Sequence, residues 1–148
     1  MKYSEKICDL FTVPENYYLA HCISADFVMG AGIAVEFNKR FNMKNLLKNS
    51  YPDFVGTWDN NTKGGTCIMA GRVFNLVTKR DVWRKPTYED MRMALNAMKS
   101  LAMRHNATHI AMPLIGCGID GLQWEKVSAI VKDVFGDTDI EILVCKRF

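Results

Sequence analysis

The chain is 148 residues long with 49% apolar, 24% charged and 11% aromatic positions, ordinary globular usage that excludes disordered, collagenous and coiled-coil classes. At this length one domain over 1–148 is expected, able to bury about two-thirds of its unfolded surface without a disulfide or metal staple. The formal charge of +3, from 19 basic and 16 acidic residues of interspersed sign, is too weak to favour nucleic acid as the partner but suits a small anion.

Cys8, Cys22, Cys67, Cys117 and Cys145 are odd in number and widely spaced, with no Cys-x-x-Cys pair. They read as buried thiols of a reducing compartment rather than a disulfide framework. Lys2, Glu5, Lys6 and Asp9 rule out a signal-peptide apolar core at the start of this sequence, and no run reaches membrane-spanning length. The expectation is an intracellular, cytoplasmic monomer with no membrane partner, a nuclear location staying open. The glycosylation patterns Asn60-Asn61-Thr62 and Asn106-Ala107-Thr108 are idle without secretion.

In chain order, 19–24 (LAHCIS) is a short apolar strand ending in a polar loop. Ile33, Ala34, Phe37 and Phe41 have helical spacing, and 43–48 continues that helix after a break. Segments 66–70 and 73–79 flank Gly71-Arg72 as a hairpin, while 60–65 is a polar loop. The strongest helix covers 88–105. Its Met91, Leu95, Met98 and Leu101 form one stripe, and Thr87 with Asp90 makes a capping box. A strand over 109–115, a helix over 123–135 stopped by Gly136, and a strand over 140–145 close the chain. Alternating helices and continuous apolar strands imply a sheet covered on both faces, and the hairpin makes it mixed. The expected fold class is α/β, a three-layer α/β/α sandwich.

Two glycine loops stand where strand gives way to helix: 29–33 (MGAGI) and 116–121 (GCGIDG). Missing side chains let backbone N–H groups approach a phosphate at a helix start, and such loops lie beyond the carboxyl ends of parallel strands. The second loop fits Gly-x-Gly-x-x-Gly, but the chain beyond Gly121 is too short for the remaining strands of a dinucleotide fold, and no P-loop sequence occurs. The pairing of the two loops, rather than either alone, argues for a diphosphate.

Lys79 ends a strand and shares a face with Val73, Asn75 and Val77. Against apolar neighbours its amine is easier to deprotonate and can attack an anomeric carbon; as part of the basic run 79–85 it is instead a solvated strand cap. Asp120 reads either as a helix N-cap completing a box with Gln123, or as a general acid or base beside a bound sugar. Cys117 is a small loop residue or, less naturally without an adjacent histidine, a thiol nucleophile. His21, His105 and His109 have no metal-ligand spacing, so no metal or cofactor is expected. Trp58, Trp83 and Trp124 suit core or rim positions better than base stacking.

Asp9-Leu10-Phe11, His21-Cys22-Ile23-Ser24, the segment 29–35 (MGAGIAV), Thr78-Lys79, 85–89 (KPTYE) and 113–124 (PLIGCGIDGLQW) together resemble macrodomains, most of all the terminal ADP-ribose protein glycohydrolase branch. The resemblance runs from 6 to 144. It implies a pocket for ADP-ribose, with ADP-ribosylated protein as partner. Asp9 matches the residue that recognises the adenine amino group, with Leu10 beside it, and Ser24 a contact near the distal ribose. Gly30, Ala31, Gly32 and Ile33 on one side, and Leu114, Ile115, Gly116, Cys117, Gly118 and Ile119 on the other, match the loops around the diphosphate. Lys79 matches the catalytic lysine and Asp120 the catalytic aspartate, acting on ADP-ribose esters of Glu or Asp and on O-acetyl-ADP-ribose. Cys8 stands where many macrodomains carry Gly. Ser24-Ala25-Asp26 replaces an Asn-rich loop, a change shared with the glycohydrolase branch. Other activities of the family are non-catalytic reading of ADP-ribose, hydrolysis of ADP-ribosylated thymidine in DNA, and removal of phosphate from ADP-ribose-1″-phosphate.

Overall fold

A computed structural model describes residues 1–60 and 64–146, so 61–63 of the expected polar loop, with Asn61 and Thr62 of one glycosylation pattern, lie outside the described residues. The elements are β1 (Lys2–Lys6), a 3-10 turn (Leu10–Thr12), β2 (Tyr18–Ser24), α1 (Ile33–Phe41), α2 (Met43–Ser50), α3 (Phe54–Asn60), β3 (Thr66–Ala70), β4 (Val73–Lys79), α4 (Tyr88–Arg104), β5 (His109–Met112), α5 (Trp124–Phe135) and β6 (Glu141–Cys145). The strands form one six-stranded sheet in the order β1-β6-β5-β2-β4-β3. All pairings are parallel except β3 with β4, the expected hairpin, which turns through Gly71 at φ +58°.

Period-two alternation divides the sheet into two apolar faces. Ala20, Phe74, Leu76, Ile110, Met112, Ile142 and Val144 face α4 and α5, whose Met91, Leu95, Met98, Val127 and Val131 are fully buried against them. Leu19, Ile23, Val73, Val77, Ala111 and Leu143 face the other way, against Phe37 of α1 and Met43 and Leu47 of α2. That is the three-layer α/β/α sandwich. Each large core side chain contributes about 1.5–3 kcal/mol relative to exposure.

Local chemistry explains the element ends. Both halves of the Thr87–Asp90 capping box form at the start of α4. β5 stops at Met112, short of 115, because Pro113 has no N–H to donate to the ladder. The reading from sequence missed β1, whose KYSEK carries no apolar alternation because it is a half-exposed strand paired to β6 alone. It also missed α3, a helix of only seven residues that carries the poor helix former Gly56. Glu5 of β1 pins three segments, accepting hydrogen bonds from Tyr3, Trp124 and Lys146. These bonds, Tyr3's foremost, hold its carboxyl down to about 2.

Gly65 has a packing role that a polar-loop reading hides. A methyl group there would overlap the Asp90 carbonyl oxygen and lie 3.0 Å from the Ala94 nitrogen, so this residue lets the start of β3 press against the backbone of α4. Gly65→Ala is expected to cost about 1–3 kcal/mol, the scale of overpacking a rigid site, measured as a lowered urea midpoint with an unchanged m-value.

Candidate active site

The parallel strands bring their carboxyl ends to one edge. There α1, following β2, packs on one face, while α5, following β5, packs on the other. Because β2 and β5 are neighbours, their loops diverge and leave a crevice, the topological switch point at which α/β sheets hold ligands. A cavity of about 610 Å³ opens there.

Every residue that the family resemblance assigned to the site lines this cavity, whereas the three histidines and three tryptophans do not. Asp9 and Leu10 follow β1. Ser24 and the loop Gly30, Ala31, Gly32 and Ile33 follow β2. Lys79 ends β4, and Leu114, Ile115, Gly116, Cys117, Gly118, Ile119 and Asp120 follow β5. Cys22 near the end of β2, Cys145 at the end of β6 and Val82 in the loop after β4 also line it, and none was assigned a ligand role from the sequence.

Lys79 Nζ lies 2.7 Å from an Asp120 carboxylate oxygen, both side chains mostly buried at 13% and 15% exposure. The solvated-cap reading of Lys79 is therefore wrong: the run 79–85 is basic, but its first member turns inward. A bulge aims it. Ile23 pairs with Val77 and Ser24 with Lys79, so Thr78 is the extra residue of β4. The N-cap reading of Asp120 is also corrected. The cap of α5 is Gln123, without a side-chain hydrogen bond, because the turn through 118–121 carries Asp120 back over the cavity.

The glycine loops differ in construction. Gly32 caps α1 at φ +61° and ψ −150°, a region essentially closed to other residues, and no side chain caps that helix. Gly116 is left-handed at φ +73°, and a Cβ there would displace the side-chain ends of Met91, 2.7 Å away at Cε, and Leu122, 2.9 Å away at Cδ1. Gly118, by contrast, faces open space. The 113–122 loop is anchored by the KPTYE segment: Lys85 Nζ donates to the Ile119 carbonyl, and Tyr88 Oη accepts the Gln123 N–H at 2.9 Å.

Asp26 is a structural residue that sequence reasoning passed over. Its carboxylate accepts the Ser24 hydroxyl at 2.5 Å and the N–H groups of Val28 at 3.2 Å and Val82 at 3.3 Å, tying the β2–α1 loop to the segment after Lys79. The same loop holds Phe27 and Met29 at φ +57° and +51°, both buried. For side chains of that size this is backbone strain, kept by burial and by Asp26. At the other end of the cavity Asp9 accepts the Phe11 N–H at 3.0 Å and starts the 3-10 turn. Cys8, in place of glycine, causes no strain because its backbone is not left-handed.

Cys117 and Cys22 are poor nucleophiles. Burial pushes the Cys117 thiol up to about 11, and the deeper Cys22, with Asp120 nearby, further still. Cys117 instead donates to the Ile115 carbonyl within its own loop. Trp58 and Trp124 pack against the core, while Trp83 stands exposed on the rim. Among the described residues no group of three His, Cys, Asp or Glu side chains converges on a metal position, and no helix is long and apolar enough to cross a membrane.

The Macro domain family model matches residues 20–131. This chain belongs to the macrodomain family. It is 44% identical over 140 residues, 92% of this chain and 86% of the relative, to the Bos taurus protein named ADP-ribose glycohydrolase OARD1, and equally so to the Homo sapiens protein of that name. Among solved structures, the macrodomain of Thermus aquaticus DarG shares the fold at a TM-score of 0.74 and 20% identity, with 97% of each chain covered. Thermosipho africanus DarTG in complex with ADP-ribose does so at 0.75 and 16%, covering 98% of this macrodomain and 41% of that chain.

Proposed function

We propose that this macrodomain binds ADP-ribose and hydrolyses it from ester linkages to Glu and Asp of proteins, and from O-acetyl-ADP-ribose. The observation that carries the reading is the Lys79–Asp120 contact in the wall of a cavity built of glycine loops. The 44% identity to proteins named ADP-ribose glycohydrolase supports the reaction class.

The diphosphate is held between the 30–33 and 114–119 loops, adenine at Asp9 and the distal ribose over Lys79. A lysine attacks only as the neutral amine, and the Asp120 oxygen is placed to take its proton. Lys79 Nζ then bonds to the anomeric carbon as the bond from that carbon to the ester oxygen breaks, and the protein carboxylate leaves. Asp120 passes the proton it took from the lysine to the departing carboxylate. It then takes one from water as the water oxygen adds at the same carbon, and hands it to the expelled amine. Lysine and aspartate return to their starting forms, so no cofactor is consumed.

Incubation with ADP-ribose under a hydride reductant, followed by mass spectrometry, tests this mechanism. An ADP-ribose adduct on Lys79 is expected, and adducts confined to other lysines would remove Lys79 as nucleophile. Tight ADP-ribose binding in calorimetry without turnover of glutamate-linked ADP-ribose would make the chain a reader instead.

The placement of the ligand has its own test. A Cβ added at Gly118 meets no protein atom within 4 Å and opens toward the cavity, so Gly118→Leu should leave the melting temperature near that of the wild type. The added chain then occupies ligand space, and ADP-ribose affinity should fall about ten-fold or more, some 1.4 kcal/mol. Unchanged affinity in calorimetry would move the diphosphate elsewhere.

A further inference from the structure

The mouth of the cavity carries an apolar rim that the proposed reaction does not use. Val82 follows Lys79 by three residues and Ile119 immediately precedes Asp120. Both line the cavity, yet Ile119 is 65% exposed and Val82 38%. Trp83, beside Val82, is 89% exposed, and Val28 on the facing loop 38%. Hydrogen bonds fix the backbone segments that carry these side chains: Asp26 accepts the main-chain N–H groups of Val28 and Val82, and Lys85 donates to the Ile119 carbonyl. The backbone at Trp83 is set in place, its main-chain N–H donating to Asp81 at 3.1 Å, while Asp81 pairs with Arg80 and Arg84.

The rim is cationic as well as apolar, because Arg80, Arg84 and Lys85 face a single acid, Asp81, within that stretch. Arg84 is 63% exposed despite its pairing. A tryptophan left almost wholly in water beside arginines is the composition of an interface hot spot rather than of a loop that merely closes a fold.

We infer that this rim docks the acidic polypeptide segment that bears the ADP-ribosyl group. The inference rests on the proposed reaction. There the leaving group is a protein carboxylate departing from the carbon above Lys79, so the polypeptide must run across the mouth, past the neighbours of Lys79 and Asp120. Trp83, Val82 and Ile119 offer apolar contact to that segment. Arg84 and Lys85 match the negative charge of a Glu- and Asp-rich stretch. Trp83 is then a specificity-determining residue for protein substrates, with no contact to the nucleotide.

The experiment compares wild type, Trp83→Ala and Trp83→Phe on glutamate-ADP-ribosylated protein, on free ADP-ribose and on unmodified single-stranded DNA. Trp83→Ala is expected to raise KM for the modified protein roughly ten-fold with kcat near that of the wild type, as truncating a hot spot does. Trp83→Phe should recover most of that loss, and the Kd for free ADP-ribose should stay within about two-fold. An unmoved KM with intact ADP-ribose affinity overturns the docking surface and leaves the reaction standing. A parallel loss of ADP-ribose affinity also overturns it, by assigning Trp83 to the cavity. So does Trp83-dependent DNA binding with an unchanged protein KM, which makes the rim a nucleic-acid surface. If wild type binds ADP-ribose but releases none from protein, the reaction fails and the docking surface falls with it.

Discussion

Lys79→Ala is expected to lower release of ADP-ribose from glutamate-modified protein by about 10³-fold or more, the scale on which loss of a nucleophile or of its proton partner acts. Because Asp120 is 15% exposed and bonded to Lys79, the alanine variant also strands a mostly buried carboxylate. Lys79→Arg separates the two effects. The guanidinium keeps the charge beside Asp120 but cannot become a neutral nucleophile, so this variant should fold, bind ADP-ribose and remain inactive. Asp120→Asn should reduce turnover by about 10²–10⁴-fold, and Lys79→Ala combined with Asp120→Asn should lose little beyond either alone, since the pair acts as a unit. Turnover of Lys79→Arg within a few-fold of wild type would exclude attack by this amine.

Acidification should destabilise the fold through one buried histidine. His21 of β2 is fully buried, its ring stacked on Phe37 at 3.8 Å between centroids, with Nε2 2.6 Å from Asn75 Oδ1. The Asn75 amide donates to the Ile68 carbonyl at 3.1 Å, which leaves Oδ1 as the acceptor and puts the ring proton on Nε2. Nδ1 is buried without a partner, so a second proton would create an unsatisfied buried donor. Burial lowers His21 from 6.5 to about 4, against the smaller opposing effect of Asn75.

The folded-state value lies below the unfolded one, so the unfolded chain binds more protons between pH 6.5 and 4. Stability is complete above pH 6.5 and declines as pH falls, by about 2 kcal/mol at pH 5 and about 3 kcal/mol at pH 4. Urea unfolding at several pH values checks this. His21→Gln, which keeps a donor toward Asn75, should be flat across the same window. An equal slope in both proteins would place the acid sensitivity in other groups. Glu5, held near 2, adds its own loss only at lower pH, as pH falls through the ordinary glutamate range.

Much of the fold was legible because it is local. The stripe on α4, the capping box at Thr87, the hairpin at Gly71 and the apolar strands β2, β4 and β6 each state their structure in consecutive residues. β1 was not legible, since its partner β6 lies at the far end of the chain and its own residues are polar. Gly65 was readable as a glycine but not as a contact with α4, because the atoms it avoids lie 25 positions further along, at Asp90. The site residues were found partly by the paired glycine loops and partly by family resemblance. Val82, the tethering role of Asp26 and the bulge at Thr78 escaped both, because each acts across a gap that no spacing rule spans.

By itself the amino-acid order determined the alternation of strands and helices, the two glycine loops and the absence of a P-loop or metal pattern. These come from residue types and their period along the chain. What it left open was the state of two ordinary-looking charges, Lys79 as a solvated cap and Asp120 as a helix cap. Family resemblance favoured the catalytic reading of both, and only the tertiary structure supplied the contact between them. β2 lies between β4 and β5 in the sheet, so the ends of all three meet, and the bulge turns the lysine inward until it stands 2.7 Å from a carboxylate 41 residues away. Proximity of that kind depends on strand order, and strand order is set by packing the whole sheet between its two helical layers.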